Sequence, residues 1–168
     1  MSITFTYNYK ETLAPSTVMI VDEMVENGYE LEEVLDFVDY FGEEYSEVIE
    51  SIIDAVNDAG SGKSDLYDFI EDQGVENVEY FPTYYSLIED HNPEAVAAFM
   101  SLFDVSDLHL FEETYEGYFD SKDNFVDYII ESYDANIPTW IVIDAESTWE
   151  TALRFDYDEE NGYYFRHL

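Results

Sequence analysis

The chain is 168 residues long and carries 41 acids against 5 bases, a net charge of −36. Its 46% hydrophobic and 18% aromatic content supplies a core and sets aside a disordered acidic tail. Such charge repels nucleic acid and anionic membranes and attracts basic surfaces, which excludes a direct nucleic-acid or membrane-surface binder; with no cysteine there is no disulfide and no thiolate metal site.

Residues 3–9, ITFTYNY, alternate and are rich in β-branched and aromatic side chains, which predicts a strand. A helix is expected from about Ser16 to Asn27, stopped by Gly28. Next come the acids Glu32, Asp36, Asp39, Glu43, Glu47, Glu50, Asp54 and Asp58, spaced three or four apart. On a helix they form one row. Leu31, Val34, Leu35, Val38, Phe41, Tyr45, Val48, Ile49, Ile52, Ile53 and Val56 share that period and predict the core face, on one amphipathic helix or two hinged at Gly42. An unbroken helix would carry the row over about 39 Å. Like charges at this spacing cost about 0.2–0.5 kcal/mol per pair. A solvated helix face would ordinarily recover that cost with lysine or arginine, and here it does not.

Asp22, Glu23, Glu26, Glu30 and Glu33 upstream, and Asp65, Asp68, Glu71 and Asp72 downstream, add further carboxylates. Glu112, Glu113, Glu116, Asp120, Asp127 and Glu131 extend the set into the second half. A net charge of −36 equals that of about 18 base pairs, at one charge per ~1.7 Å of duplex axis. One row is too sparse to copy a DNA strand, with its phosphate per about 3.4 Å, but two or three neighbouring rows would match a duplex. These acids are the candidate partner-binding residues, and the partner they predict is a DNA-binding protein with a basic groove.

Further along, GSGKS at 60–64 reads as a flexible joint. It lacks the upstream glycine of a phosphate loop, Val56 and Asn57 standing there instead. Helices are expected over Ser64–Gln73, with Ser64 as cap and Gly74 as stop, and from Pro93, capped by Asn92. Between them, an extended piece leads to Pro82 and a turn of helix. Residues 108–119 read as extended or irregular. Ser121 or Asp120 caps a helix to about Tyr133, with Phe125, Tyr128, Ile129 and Tyr133 facing the core, and Pro138 follows it. A helix is expected from about Trp140. Phe155–Asp158 and Tyr163–Arg166 form a hairpin around Glu160-Asn161-Gly162, with Arg154 and Arg166 facing or neighbouring each other across it and pairing with local acids. No repeat of fixed period is found. The fold class is α+β, mostly helical and elongated, with acidic helices in region 1–76 and a C-terminal helix and β-hairpin subdomain in region 77–168.

No catalytic, cofactor or metal residues emerge. His91, His109 and His167 lack metal-ligand spacing. DYDEENG misplaces Gly162 for a calcium loop and puts a histidine where the closing glutamate belongs. The opening MSITFTYNYK lacks the basic and apolar regions of a signal peptide, and the apolar runs Val18–Val21 and Trp140–Ile143 are too short to span a bilayer. A cytoplasmic protein that is not an enzyme is expected.

The segment FEETYEGYFDSKDNFVDYIIESY at 111–133 resembles the F-x-E-A-Y-x-G-x-Y-D-S-x-x-x-F-A stretch of ArdA-type antirestriction proteins. Tyr115, Gly117, Tyr118, Asp120, Ser121 and Phe125 carry the likeness. PEAVAAFMSLFDVSDL before it and the closing IPTWIVIDAESTWETALRFDYDEENGYYFRHL are similar to the flanking sections, so the resemblance covers roughly residues 80–168. Residues 1–40 do not match the tryptophan-containing opening strands of that family. The resemblance implies an elongated, often dimeric DNA mimic that fills the DNA groove of type I restriction–modification enzymes. A mimic aimed at a CRISPR effector, nucleoid or transcription protein, and a halophilic acidic housekeeping protein, are the competing expectations.

Overall fold

The computed structural model describes residues 8–133, 137–138 and 140–168. The chain forms two compact units, Met1–Tyr85 and Ser86–Leu168. The strand expected over 3–9 falls mostly outside the described residues, and its last residue, Tyr9, instead opens a helix.

The first unit is helical. It contains α1 (Tyr9–Thr12), α2 (Pro15–Glu26), α3 (Leu31–Phe41), a 3-10 turn (Glu43–Val48), α4 (Ile49–Ala59), α5 (Lys63–Gln73) and a second 3-10 turn (Val75–Tyr80). Helix α6 (Phe81–Asp90) leads from the first unit into the second. Val21, Val34, Phe37, Ile49, Ile52, Ile53, Leu66 and Phe69 form the buried core. Helix α5 begins one residue before the expected cap Ser64: Gly62 takes that place, its N–H donating to Asp65 Oδ2 at 3.2 Å. The extended piece expected before Pro82 is helical, because the second 3-10 turn runs directly into α6. Pro82 stands in the first turn of α6, where its missing N–H costs nothing.

A repeat unseen in the sequence emerges from the backbone. Helix α3, its turn and α4 share one geometry with α5, its turn and α6, offset by 32 residues: Gly42 and Gly74 (φ 98°, ψ 159° and φ 87°, ψ 150°) end the first helix of each copy. Gly42 N–H donates to Val38 O and Gly74 N–H to Ile70 O, both at 2.9 Å. Tyr45 N–H donates to Gly42 O and Asn77 N–H to Gly74 O, both at 3.2 Å. That backbone region is essentially open to glycine alone. Val34 matches Leu66, Phe37 matches Phe69, Val38 matches Ile70 and Ile49 matches Phe81, all buried.

The second unit contains α7 (Pro93–Leu102), a 3-10 turn (Val105–Leu110), α8 (Phe111–Thr114), β1 (Tyr115–Tyr118), α9 (Lys122–Ser132), α10 (Ala145–Thr151), a short 3-10 turn (Leu153–Phe155), β2 (Tyr157–Glu160) and β3 (Tyr163–Arg166). It opens with a third copy of the same motif, 30 residues on from the second. Val96, Phe99, Leu108 and Phe111 repeat Leu66, Phe69, Val78 and Phe81, and Asp107 N–H donates to Asp104 O at 2.9 Å as Asn77 does to Gly74. Asp104 replaces the glycine and caps the turn, accepting from Ser106 N–H at 3.0 Å.

The sheet is antiparallel in the order β1-β3-β2. Strand β1 lies inside the stretch expected to be extended or irregular. Central β3 is covered on both faces. Phe165 packs on Phe99 (5.6 Å) and Phe111 (6.0 Å) from one side. Tyr164 stacks on Phe125 at 4.0 Å and meets Trp149 at 5.6 Å from the other. The expected hairpin forms, with Asn161 and Gly162 as a two-residue loop between Glu160 and Tyr163.

Helix α9 starts after Ser121, whose Oγ accepts from Asn124 N–H at 3.3 Å. Its core face holds Phe125, Val126 and Ile129; the expected Tyr128 and Tyr133 are exposed. Helix α10 starts at Ala145 rather than near Trp140, with Asp144 accepting from Ser147 N–H at 2.9 Å. Three successive β-branched residues, Ile141-Val142-Ile143, disfavour helix before that cap. No helix among the described residues is long and apolar enough to cross a membrane.

Candidate functional site

The expected carboxylate row of 32–58 is broken into pieces. Glu32, Asp36 and Asp39 lie on α3, Glu43 and Glu47 in the 3-10 turn, and Glu50, Asp54 and Asp58 on α4. Of the two expected arrangements, the helices hinged at Gly42 form: in place of one 39 Å line there are two short helical rows of about 10 and 12 Å. Asp22 and Glu26 lie on α2, and Asp65, Asp68, Glu71 and Asp72 on α5. In the second unit Glu112 and Glu113 lie on α8, Glu116 on β1, Asp120 before α9, and Asp127 and Glu131 on α9. All are exposed except Asp22 and Glu116, which are half-buried.

Several of them are already engaged. Asp22 accepts from Lys10 Nζ (2.7 Å) and Tyr9 OH (2.5 Å), and both bonds hold its carboxyl below the usual carboxylate range. Glu116 pairs with Arg166 at 2.6 Å and accepts from Tyr128 OH at 3.1 Å. Asp36 pairs with Lys63, which also lies 4.2 Å from the Phe37 ring centre. Glu43 accepts from Ala14 N–H at 2.7 Å, and Glu112 meets His91 Nε2 at 2.5 Å. Lys122 pairs with Glu146 at 3.2 Å and Arg154 with Glu150 at 2.5 Å. Each of the 5 bases therefore serves one local carboxylate. Arg154 does not stand across the hairpin from Arg166: it precedes β2 and bonds one helical turn back, while Tyr157 faces Arg166 in the register.

The 32-residue offset adds acids that periodicity alone had missed. It equates Glu33 with Asp65, Asp36 with Asp68, Asp39 with Glu71, Glu44 with Glu76, Glu47 with Glu79, and Asp58 with Asp90. Gly42 and Gly74 share one neighbour as well, since an added Cβ would lie 2.5 Å from the Glu44 carboxylate and 2.6 Å from that of Glu76. These six carboxylate positions are thus presented twice on equivalent backbone, whereas Glu32, Glu43, Glu50 and Asp54 meet Ser64, Val75, Pro82 and Ser86. Overlaying the sequence on itself at that offset would have found it.

Phenols take the place that cations usually fill between these acids. Tyr29 OH donates to Asp54 at 2.8 Å and Glu50 at 3.4 Å, and the bond to Asp54 does most to push its pKa up to about 12. Burial pushes Tyr164 up to about 12. Tyr67, Tyr128 and Tyr163 are also raised, the first two chiefly by Glu71 and Glu116 and the third by burial. A phenol whose native pKa exceeds its unfolded value stabilises the fold fully below that unfolded value, and the contribution is lost as pH rises through the native one. Stability is therefore expected to hold up to about pH 10 and to fall from there toward pH 12. Urea unfolding at stepped pH, with phenolate absorbance followed in parallel, checks this; unchanged stability across that window would contradict the phenol bonding described.

His109 Nδ1 lies 2.9 Å from Ser106 O and His167 pairs with Asp158 at 3.1 Å. Among the described residues, no group of three or more histidines and acids is arranged to hold a metal ion. Compared with known proteins, the chain matches no family model, no curated protein and no solved structure.

Proposed function

We propose that the protein is a DNA mimic that occupies the DNA-binding groove of a type I restriction–modification enzyme and blocks restriction and modification. The observation that carries this reading is the doubled carboxylate pattern on exposed helix faces in a chain whose every base is already paired. An uncompensated surface of this kind repels itself and attracts an external cationic partner. The likeness of residues 111–133 to ArdA-type antirestriction proteins points the same way and selects the target. Occupation of the groove is competitive: lysines and arginines that would meet phosphates meet carboxylates held in place by the fold.

The test is displacement of a fluorescent duplex carrying the recognition site from a purified type I methylase core. Competitive displacement that weakens with added salt is expected. Failure to displace at low salt would overturn the reading. Inhibition only of another basic protein under the same conditions would move the reading to that target. Loss of helical signal in dilute buffer would instead favour a halophilic protein, whose acids serve solvation in salt.

A further inference from the structure

The third copy of the helix–turn–helix motif keeps the core of the first two and discards most of their acids. Asp68 and Glu71 of the second copy become Ala98 and Ser101. On that hollowed face, between α7, β1 and the tip of the β2–β3 hairpin, lies an open pocket of about 760 Å³. Tyr115, Tyr118 and Tyr163 wall it, Ala97, Ala98 and Ser101 lie along it, and Glu94 and Glu160 bring carboxylates to it.

The walls are held in place. Tyr118 and Tyr163 lie with ring centres 5.1 Å apart. Tyr118 reaches across Gly162, where a Cβ would come within 2.8 Å of its ring, so the hairpin glycine makes room for that wall. Asn92 Nδ2 donates to Tyr163 OH at 3.0 Å, and Tyr163 OH donates to Glu94 Oε2 at 3.2 Å, fixing the carboxylate. Glu160 Oε1 accepts from Asn161 Nδ2 at 2.9 Å. Neither glutamate has a cationic partner among the described residues, and all the lysines and arginines are committed elsewhere.

We propose that this pocket is an arginine site, receiving one guanidinium side chain of the basic partner against its tyrosine rings and between Glu94 and Glu160. The identity of the source rests on the DNA-mimic reading above. The chemistry selects the ligand class. An anion is repelled by two carboxylates, and a neutral ligand leaves both uncompensated. A guanidinium is planar, stacks on aromatic faces and presents a fork of donors that suits carboxylates, whereas an ammonium is a compact point charge that fills less of such a space. The pocket would thus add one shaped, arginine-selective contact to a surface whose other carboxylates accept lysine and arginine alike.

The experiment uses the full chain with labelled tyrosine rings, titrated by NMR with N-acetyl-arginine methylamide, N-acetyl-lysine methylamide and free arginine. Saturable shifts confined to Tyr115, Tyr118 and Tyr163 are expected with the capped arginine, and weaker binding with the capped lysine. Tyr118→Leu is expected to weaken the arginine site by roughly 3- to 30-fold. Glu160→Gln, a nearly isosteric change, is expected to weaken it too, while Glu11→Gln, at an exposed acid of α1, leaves it unchanged. Non-saturating shifts across all tyrosines, equal binding of the lysine compound, or full retention of binding in Glu160→Gln would each overturn the proposal. Tighter binding of free arginine than of the capped form would overturn the side-chain source. Saturable arginine binding without displacement of DNA from the restriction enzyme would refute the reading that the target is a type I restriction–modification enzyme and leave the guanidinium site standing. Displacement without arginine binding would refute the site alone.

Discussion

Changing Asp39, Glu47, Asp58, Glu71, Glu79 and Asp90 together to their amides is expected to weaken binding to a basic groove by roughly tenfold to ten-thousandfold at low salt. That range multiplies six exposed charge pairs, each worth a factor of about 1.4 to 5. These acids are three matched pairs from the first two copies of the motif, and none forms an ion pair among the described residues. Each single change should therefore cost no more than a few-fold, because no one carboxylate dominates. The triple changes in either copy should cost similar amounts, since the backbones that carry them match. Stability should move the opposite way: removing like charges from one surface raises the melting temperature in dilute buffer. Weaker binding by a more stable protein separates a charge-template mechanism from simple damage to the fold. The measurement is a salt series of displacement constants for the wild type, both triples and the sextuple. Loss of all binding from one single amide, or none from the sextuple, would sink the distributed mechanism.

What could be read from the sequence depended on whether the signal was local. The Asn92 cap before Pro93 and the Asn161-Gly162 turn were legible because each is set by two or three adjacent side chains. Helices α2 and α5 were legible from apolar period and stopping glycines. Strand β1 was legible only as part of a stretch that reads as extended or irregular, because YEGY has only four residues and gains its partners from β3, nearly fifty residues later. Strand β3 was legible only through its turn: buried on both faces, YYFR shows no alternation of polar and apolar. The carboxylates were found as residues, and their line fits either one helix or two hinged at Gly42, since a 3.6-residue period cannot tell a helix from the same helix bent by a glycine. The repeat was hidden because its copies share spacing and burial more than identities; Ile49, Phe81 and Phe111 fill one core position with an aliphatic and two aromatic side chains. The pocket needed the sheet to bring Tyr115, Tyr118 and Tyr163 together, and no window of sequence contains all three.

Phe165→Ala is expected to destabilise the second unit by about 3–5 kcal/mol, the usual range for deleting a fully buried phenylalanine. Phe165 is 0% exposed at the centre of β3. Its ring meets those of Phe99, Phe103, Phe111 and Tyr115 within 5.5 to 6.1 Å. No small movement of one neighbour can refill the space, because those rings come from α7, the residue that follows it, α8 and β1, which are held by separate backbone bonds. A domain of this size has only about 5–15 kcal/mol in hand, so the variant should sit near the edge of folding. Hydrogen exchange distinguishes local from global loss. Amides of α7, β1 and β3 should lose protection, while those of α3 and α4, whose core is Val34, Phe37, Ile52 and Ile53, should keep theirs. Equal loss in both sets would mean that the two units fold as one, and the arginine pocket could then not be removed without also disturbing the carboxylate faces. Protection retained in α3 and α4 would leave the two sites separable, so that binding by the helical unit could be measured with the tyrosine pocket gone.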